Sequence, residues 1–305
     1  MDLPARVLVT DVGPRDGLQS EPAFIPTERK VALVNALSAA GVGRIEVTSF
    51  VSPRAVPQMA DAEAVMAGIT RAPGVRYSAL VPNARGAERA LAARADELNV
   101  VTSSTETMNQ RNLRMSIADS IVACREIVRL AEPARVPVAG VVSTSFGCPY
   151  EGPVTVAQVI AVVERLVDAG VSEVSLADTI GVGNPRQVEA LVAAVRARWP
   201  ALVLGLHFHD TRGLGLANVL AGLQAGVARY DASVAGVGAC PFAPGATGNI
   251  CTEDLVYLLD ELGVATGVDL AALIAAARLM RDAVGHDVPS HMLRAGPRPQ
   301  LPAAS

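Results

Sequence analysis

The stretch EVSLADTIGVGNPRQVEALVAAVRARWPALVLGLHF, residues 173–208, carries the pattern that decides the fold. It opens on a short run suited to a strand, Glu173–Ala177. It then passes through an Asn184-Pro185 helix start into Pro185–Arg198, which has helical spacing, and closes on a second strand-like run, Val203–Phe208. The interval between the two runs is about the ~30 residues of a strand–helix–strand unit. Strands this continuously apolar suit a parallel sheet covered on its outside.

The same unit recurs in both directions. Strand-like runs stand at Val7–Thr10, Arg44–Thr48, Arg76–Val81, Glu97–Thr102, Pro137–Ser143, Glu173–Ala177, Val203–Phe208 and Tyr230–Ala235. Between them lie helical stretches such as Pro26–Ala40, Ile117–Ala131, Thr155–Ala169 and Gly213–Ala225, with Gly41, Gly170 and Gly226 placed to end them. Eight such repeats predict an α/β fold that closes into a (β/α)8 TIM barrel. A doubly wound sheet is the alternative, but it asks for a glycine-rich phosphate turn after the first strand, where this chain has Arg15 and Asp16. Thr252–Leu262 and Asp269–Val284 read as extra helices on the barrel's outside. Residues 1–290 are therefore expected to form one domain, and the Pro- and Ala-rich 291–305 a disordered tail.

Composition narrows the partners. The 305 residues are 50% hydrophobic and 18% charged, and the mean hydropathy of +0.34 is spread over short segments with no run near the ~18 residues of a membrane helix. No membrane association is expected. A net charge of −4, 3% aromatics and no basic cluster argue against nucleic acid as a partner. The first strand starts too early for a targeting segment, and Cys124, Cys148, Cys240 and Cys251 are scattered as reduced thiols would be, so a cytoplasmic location is expected. Apolar positions near Leu255–Leu262 suit either a homodimer contact or packing on the barrel.

Barrel enzymes place their chemistry at the C-terminal ends of strands, and polar residues concentrate there: Asp11, Arg15, Asp16 and Gln19; Glu46 and Thr48; Asp178-Thr179; and His207-Phe208-His209-Asp210. Side chains at i and i+2 of a strand share a face, so His207 and His209 point together into the mouth. A pair of ordinary strand-end histidines would look the same. Asp16 tips the balance, because strands one and seven of an eight-membered ring are separated only by strand eight. Asn249 adds an amide oxygen from the next loop. Two imidazoles, a carboxylate and an amide form a mixed N/O set that favours Mg²⁺ or Mn²⁺, with zinc left open. Cys240, in the glycine- and proline-rich loop Gly236–Asn249, suits a general acid or base, or alternatively a small buried hydrophobe.

Together, residues 12–19, 45–53, 147–152, 178–181, 207–210 and 233–249 resemble the 3-hydroxy-3-methylglutaryl-CoA lyase family over nearly the full length. The resemblance implies that Asp16, His207, His209 and Asn249 ligate a divalent cation and that Arg15 polarises a thioester carbonyl. It further implies that Cys240 protonates the acetyl carbanion and that Glu46 and Asp178 act as acid–base or orienting partners. The implied reaction is retro-Claisen cleavage of an acyl-CoA substrate to acetyl-CoA and acetoacetate, a step of leucine degradation. Ala177, Ala239 and Arg114 depart from the family pattern, and Arg114 leaves a related substrate such as citramalyl-CoA open. A synthase running the condensation, or a catalytically silent binding barrel, are the competing classes. The Cys240 loop and the retained ligand set argue against them.

Overall fold

In the computed structural model, which describes residues 1–238 and 248–298, eight parallel strands close in sequence order into a barrel. In chain order the elements are β1 (Leu8–Asp11), α1 (Thr27–Ala39), β2 (Arg44–Ser49), α2 (Ala62–Gly68), β3 (Arg76–Leu80), α3 (Ala84–Ala92) and β4 (Glu97–Ser103). Then follow α4 (Glu106–Leu113), α5 (Ile117–Ala131), β5 (Val138–Ser143), α6 (Val156–Asp168), β6 (Glu173–Asp178), α7 (Pro185–Arg198) and β7 (Val203–Phe208). The chain continues through α8 (Gly215–Gln224), β8 (Arg229–Ala232), α9 (Thr252–Glu261), α10 (Leu270–Val284) and α11 (His291–Ala295). The expected barrel is therefore the observed one, and its helices start where the sequence provides caps. Thr155 with Gln158, and Asn184 with Gln187, form reciprocal capping boxes at the starts of α6 and α7.

The space between sheet and helices is filled by Val, Leu and Ile from both, for example Ile45, Val174 and Leu206 against Leu33, Val163 and Val188. The barrel interior is instead polar, and it is built in layers from alternate strands. At the base, the first residues of the even strands meet as an ionic layer of Arg44, Glu97, Glu173 and Arg229. Arg44 Nη1 lies 3.1 Å from Glu97 Oε1, Arg44 Nη2 2.9 Å from Glu173 Oε2, and Arg229 Nη1 2.6 Å from Glu173 Oε2. Two residues further along the same strands the layer is Glu46, Asn99, Ser175 and Asp231, and this one faces the mouth.

The structure departs from the sequence reading at the eighth strand, in the short helices and in the tail. The eighth strand stops at Ala232, because Ala235 takes a left-handed φ of 62° that no strand tolerates. The short helices α2, α3 and α4 fill intervals with no earlier assignment. The tail expected from residue 291 begins instead as helix α11, held because Asp254 accepts the His291 and Met292 backbone amides at 3.0 and 2.9 Å and Met292 is buried; residues 299–305 lie outside the described ones. Leu255, Val256 and Leu259 of α9 are buried within the chain itself, which is the barrel-packing reading of that apolar face. Among the described residues, no helix is long and apolar enough to cross a membrane.

Candidate metal centre and active site

The site is assembled from the loop after β1. Asp11 closes the strand, and its Oδ1 accepts the Gly13 amide at 2.8 Å while Oδ2 accepts the Thr252 hydroxyl at 2.6 Å. Burial, partly offset by those hydrogen bonds, pushes its carboxyl up to about 7. A side chain on Gly13 would meet Asp11 Oδ1 and Val234 Cγ1 at 2.9 Å, so only glycine lets the chain turn this tightly. The result is a single π-helical turn, Gly13–Gly17, which sets Arg15 and Asp16 next to one another over the mouth.

Asp16, His207 and His209 converge there, each offering one donor atom within 4.8 Å of the others, with the imidazole rings 5.2 Å apart. Asn249 is brought in by backbone pairing with the end of β7: Asp210 N donates to Gly248 O at 2.9 Å, and Ile250 N to Phe208 O at 3.1 Å. Its Nδ2 donates to Asp16 Oδ2 at 2.9 Å and to Val237 O at 3.3 Å. Among the described residues, the buried Asn249 Oδ1 and His209 Nδ1 have no hydrogen-bond partner. An unsatisfied buried polar atom costs about 1–3 kcal/mol, and one on each of two residues that adjoin the Asp16 carboxylate is the kind of atom a cation satisfies. The donor set of two imidazole nitrogens and two oxygens fits a divalent ion.

The electrostatics agree. Burial works against the Asp16 carboxylate, but Arg15, His207, His209 and the Asn249 hydrogen bond outweigh it and hold the group well below the usual carboxylate range. Burial, reinforced by His207, pulls His209 down to about 4, so that ring is neutral at physiological pH, as a metal-binding imidazole must be. Burial also opposes protonation of His207, but the Asp231 and Asp16 carboxylates more than offset it and raise its pKa.

Arg15 is pinned by two carboxylates. Its Nε donates to Glu46 Oε2 at 2.5 Å and its Nη1 to Asp16 Oδ1 at 2.6 Å. Glu46 is buried, and its other oxygen accepts Asn99 Nδ2 at 2.7 Å, so the guanidinium is fixed from beneath by Glu46 and, through it, Asn99. Asp178 ends β6 near His207, with both oxygens taken by the next loop: Oδ1 accepts Val182 N at 3.0 Å and Oδ2 accepts Gly183 N at 2.8 Å. Asp210 likewise holds the start of α8 through Gly215 N at 2.8 Å. Arg114 is exposed and ends α4 in a left-handed conformation, φ 58°. Cys240 lies outside the described residues.

The structure thus brings Arg15, Asp16, Glu46, His207, His209 and Asn249 together, with Asp178 beside them. Sequence reasoning overlooked Asn99, Ser175 and Asp231. Their signal was parity: each sits two residues after the charged start of an even strand, and so on the inner face.

Residues 6–280 match the family model described as HMGL-like. A hydroxymethylglutaryl-CoA lyase of Bacillus subtilis is 45% identical across 96% of this chain and 98% of its own. A mitochondrial hydroxymethylglutaryl-CoA lyase of Gallus gallus is 45% identical across 97% of this chain and 99% of its own. Among solved structures, an HMG-CoA lyase from Acinetobacter baumannii in complex with coenzyme A and 3-methylmalate superposes with a TM-score of 0.93 at 45% identity, covering 100% of both chains. With this barrel, this donor cluster and these relatives, the chain belongs to the HMGL-like family.

Proposed function

We propose that the protein cleaves 3-hydroxy-3-methylglutaryl-CoA to acetyl-CoA and acetoacetate. The observation that carries this reading is the convergence of Asp16, His207, His209 and the free Asn249 Oδ1 beside a doubly anchored Arg15. Those four residues would hold Mg²⁺ or Mn²⁺, which when bound polarises substrate oxygens and lowers the pKa of a hydroxyl.

This chain's own groups then do the following. Arg15 presents its guanidinium to the thioester oxygen, where negative charge develops as the bond between C2 and C3 breaks. The tertiary hydroxyl gives up its proton to solvent water at the barrel mouth, its oxygen becomes the ketone of acetoacetate, and the electron pair of the broken bond passes to the acetyl-CoA enolate. Charge preorganised in this way is worth several kcal/mol at the transition state because it needs no reorganisation during reaction. Glu46 and Asn99 keep the guanidinium in place, and the hydrogen bonds of Glu46 and Asp178 favour orienting roles for both carboxylates. Cys240 supplies the proton that converts the enolate carbon to a methyl group. The free thiols of Cys124, Cys148 and Cys251 suit a reducing, cytoplasmic setting.

The test is direct. Purified protein is incubated with 3-hydroxy-3-methylglutaryl-CoA and, separately, citramalyl-CoA, each with Mg²⁺, Mn²⁺ or chelator, and acetyl-CoA is quantified. Metal-dependent release of acetyl-CoA and acetoacetate from the first substrate is expected. Release only from the second would replace the substrate, and no release from either would reject the lyase reading.

A further inference from the structure

The inner layer Glu46–Asn99–Ser175–Asp231 contains two carboxylates, each held by one neutral neighbour. Asn99 Nδ2 holds Glu46, and Glu46 steers Arg15. On the opposite side of the ring, Ser175 Oγ donates to Asp231 Oδ2 at 3.2 Å, and the same oxygen lies 3.5 Å from His207 Nδ1. The register explains the meeting, since β7 and β8 pair His207 directly with Asp231. Contacts of this kind are commonly long in ligand-free sites and tighten once the centre is loaded.

We propose that Asp231, buttressed by Ser175, is a positioning residue that fixes the His207 tautomer and ring orientation, leaving Nε2 as the atom offered to a divalent cation. The inference rests on the metal centre described above. Its physical reason is that an imidazole has one lone pair to give when neutral, and the hydrogen bond made by one ring nitrogen decides which nitrogen keeps it. With Asp231 accepting from Nδ1–H, the lone pair is confined to Nε2. Without it, the buried ring samples both tautomers and only a fraction is ready to bind. Ser175 adds a second constraint by occupying the same carboxylate oxygen from the β6 side, which keeps Asp231 from swinging towards Arg15.

The experiment uses the full chain and MnCl₂ alone as probe. Mn²⁺ affinity is measured by calorimetry for wild type, Asp231→Asn and Ser175→Ala. The ring nitrogens of the metal-free proteins are followed by long-range ¹H–¹⁵N correlation, which is tractable because the chain has only four histidines. The expected result for Asp231→Asn is a 10–100-fold weaker Mn²⁺ affinity together with loss of the pure Nδ1–H tautomer at His207, while far-UV circular dichroism stays as in wild type. Ser175→Ala, which loosens Asp231 without removing it, should shift both readouts in the same direction by less, and it serves as the test should Asp231→Asn not fold. Unchanged Mn²⁺ affinity in the variants, or weakened affinity with an unchanged tautomer, would overturn the positioning role while leaving the lyase reading standing. A wild-type protein that binds no Mn²⁺ would overturn the metal centre and this inference with it.

Discussion

Replacing Arg44 with methionine separates the stability of the barrel from its chemistry. Arg44 is 4% exposed and is the one cation of the basal layer shared by two buried carboxylates. Its Nη1 and Nη2 meet Glu173 at 3.0 and 2.9 Å, and Nη1 meets Glu97 at 3.1 Å. Methionine matches the length of the side chain but leaves Glu97 and Glu173 facing each other, with Arg76 and Arg229 pairing them only from the partly exposed rim. Breaking a buried pair in this way costs about 3–5 kcal/mol, because the abandoned charges stay desolvated. At an m-value of about 3 kcal/mol/M, the urea midpoint should fall by roughly 1–1.7 M, read by far-UV circular dichroism and by the fluorescence of Trp199, the only tryptophan. The loss should also depend on pH. Burial pushes Glu97 above its ordinary value, with Arg44 opposing and Glu173 reinforcing, so the substitution raises it further. A carboxylate that holds its proton more tightly when folded gains stability as pH falls through its folded pKa. The deficit of Arg44→Met should therefore be smaller at pH 5 than at pH 8, while Mn²⁺ affinity at the far end of the barrel stays unchanged. A loss below about 1 kcal/mol, the range of exposed pairs, or a deficit that grows on acidification, would refute the reasoning.

Four further outcomes are expected. Arg15→Gln should lower kcat by about 10²–10³, the usual cost of removing one preorganised donor, with circular dichroism unchanged; a near-normal rate rejects the role. Cys240→Ser should abolish most turnover and leave calorimetric Mn²⁺ affinity intact, so a wild-type rate would return this thiol to a packing role. His209→Ala should weaken Mn²⁺ binding beyond detection in the same calorimeter without unfolding the chain, and retention of tight binding would remove it from the ligand set. Glu253 is pushed up to about 7 by burial despite accepting the Ala235 amide, so wild type should lose stability as pH rises from about 4.5 to 7. Glu253→Gln should flatten part of that slope in urea midpoints measured across the window, leaving the part due to Asp11, and an unaltered slope would exclude Glu253 as its source.

The barrel was legible because short β-branched runs recur at strand–helix–strand spacing and the helices carry caps, as at Thr155 and Asn184. The candidate ligands were legible because side chains at i and i+2 of a strand share a face, which sets His207 and His209 side by side near Asp16. Carboxylate roles were harder to read. Asp178 stands at a strand end as a catalytic residue would, and what the sequence hides is that the next loop folds back to donate two backbone amides to it. Asp11 is the same case, committed to Gly13 and Thr252. Asn99 and Asp231 escaped notice for the opposite reason. They sit inside strands rather than at their ends, and they matter only once the parity of the even strands is known. The eighth strand was read too long because Ser233-Val234-Ala235 suits a strand locally, whereas the return of residues 250–252 beside it forces the bend at Ala235.

The close crossing of Gly238 and Gly248 fixes where Asn249 stands. Gly248 has φ 99°, and a side chain on it would strike the carbonyl of Gly238, while a side chain on Gly238 would strike Asn249 Nδ2. Asn249 takes its position from that close approach and from its ladder with β7. A side chain at either glycine would therefore displace the Asn249 amide from Asp16 and open the donor set without altering any of its members.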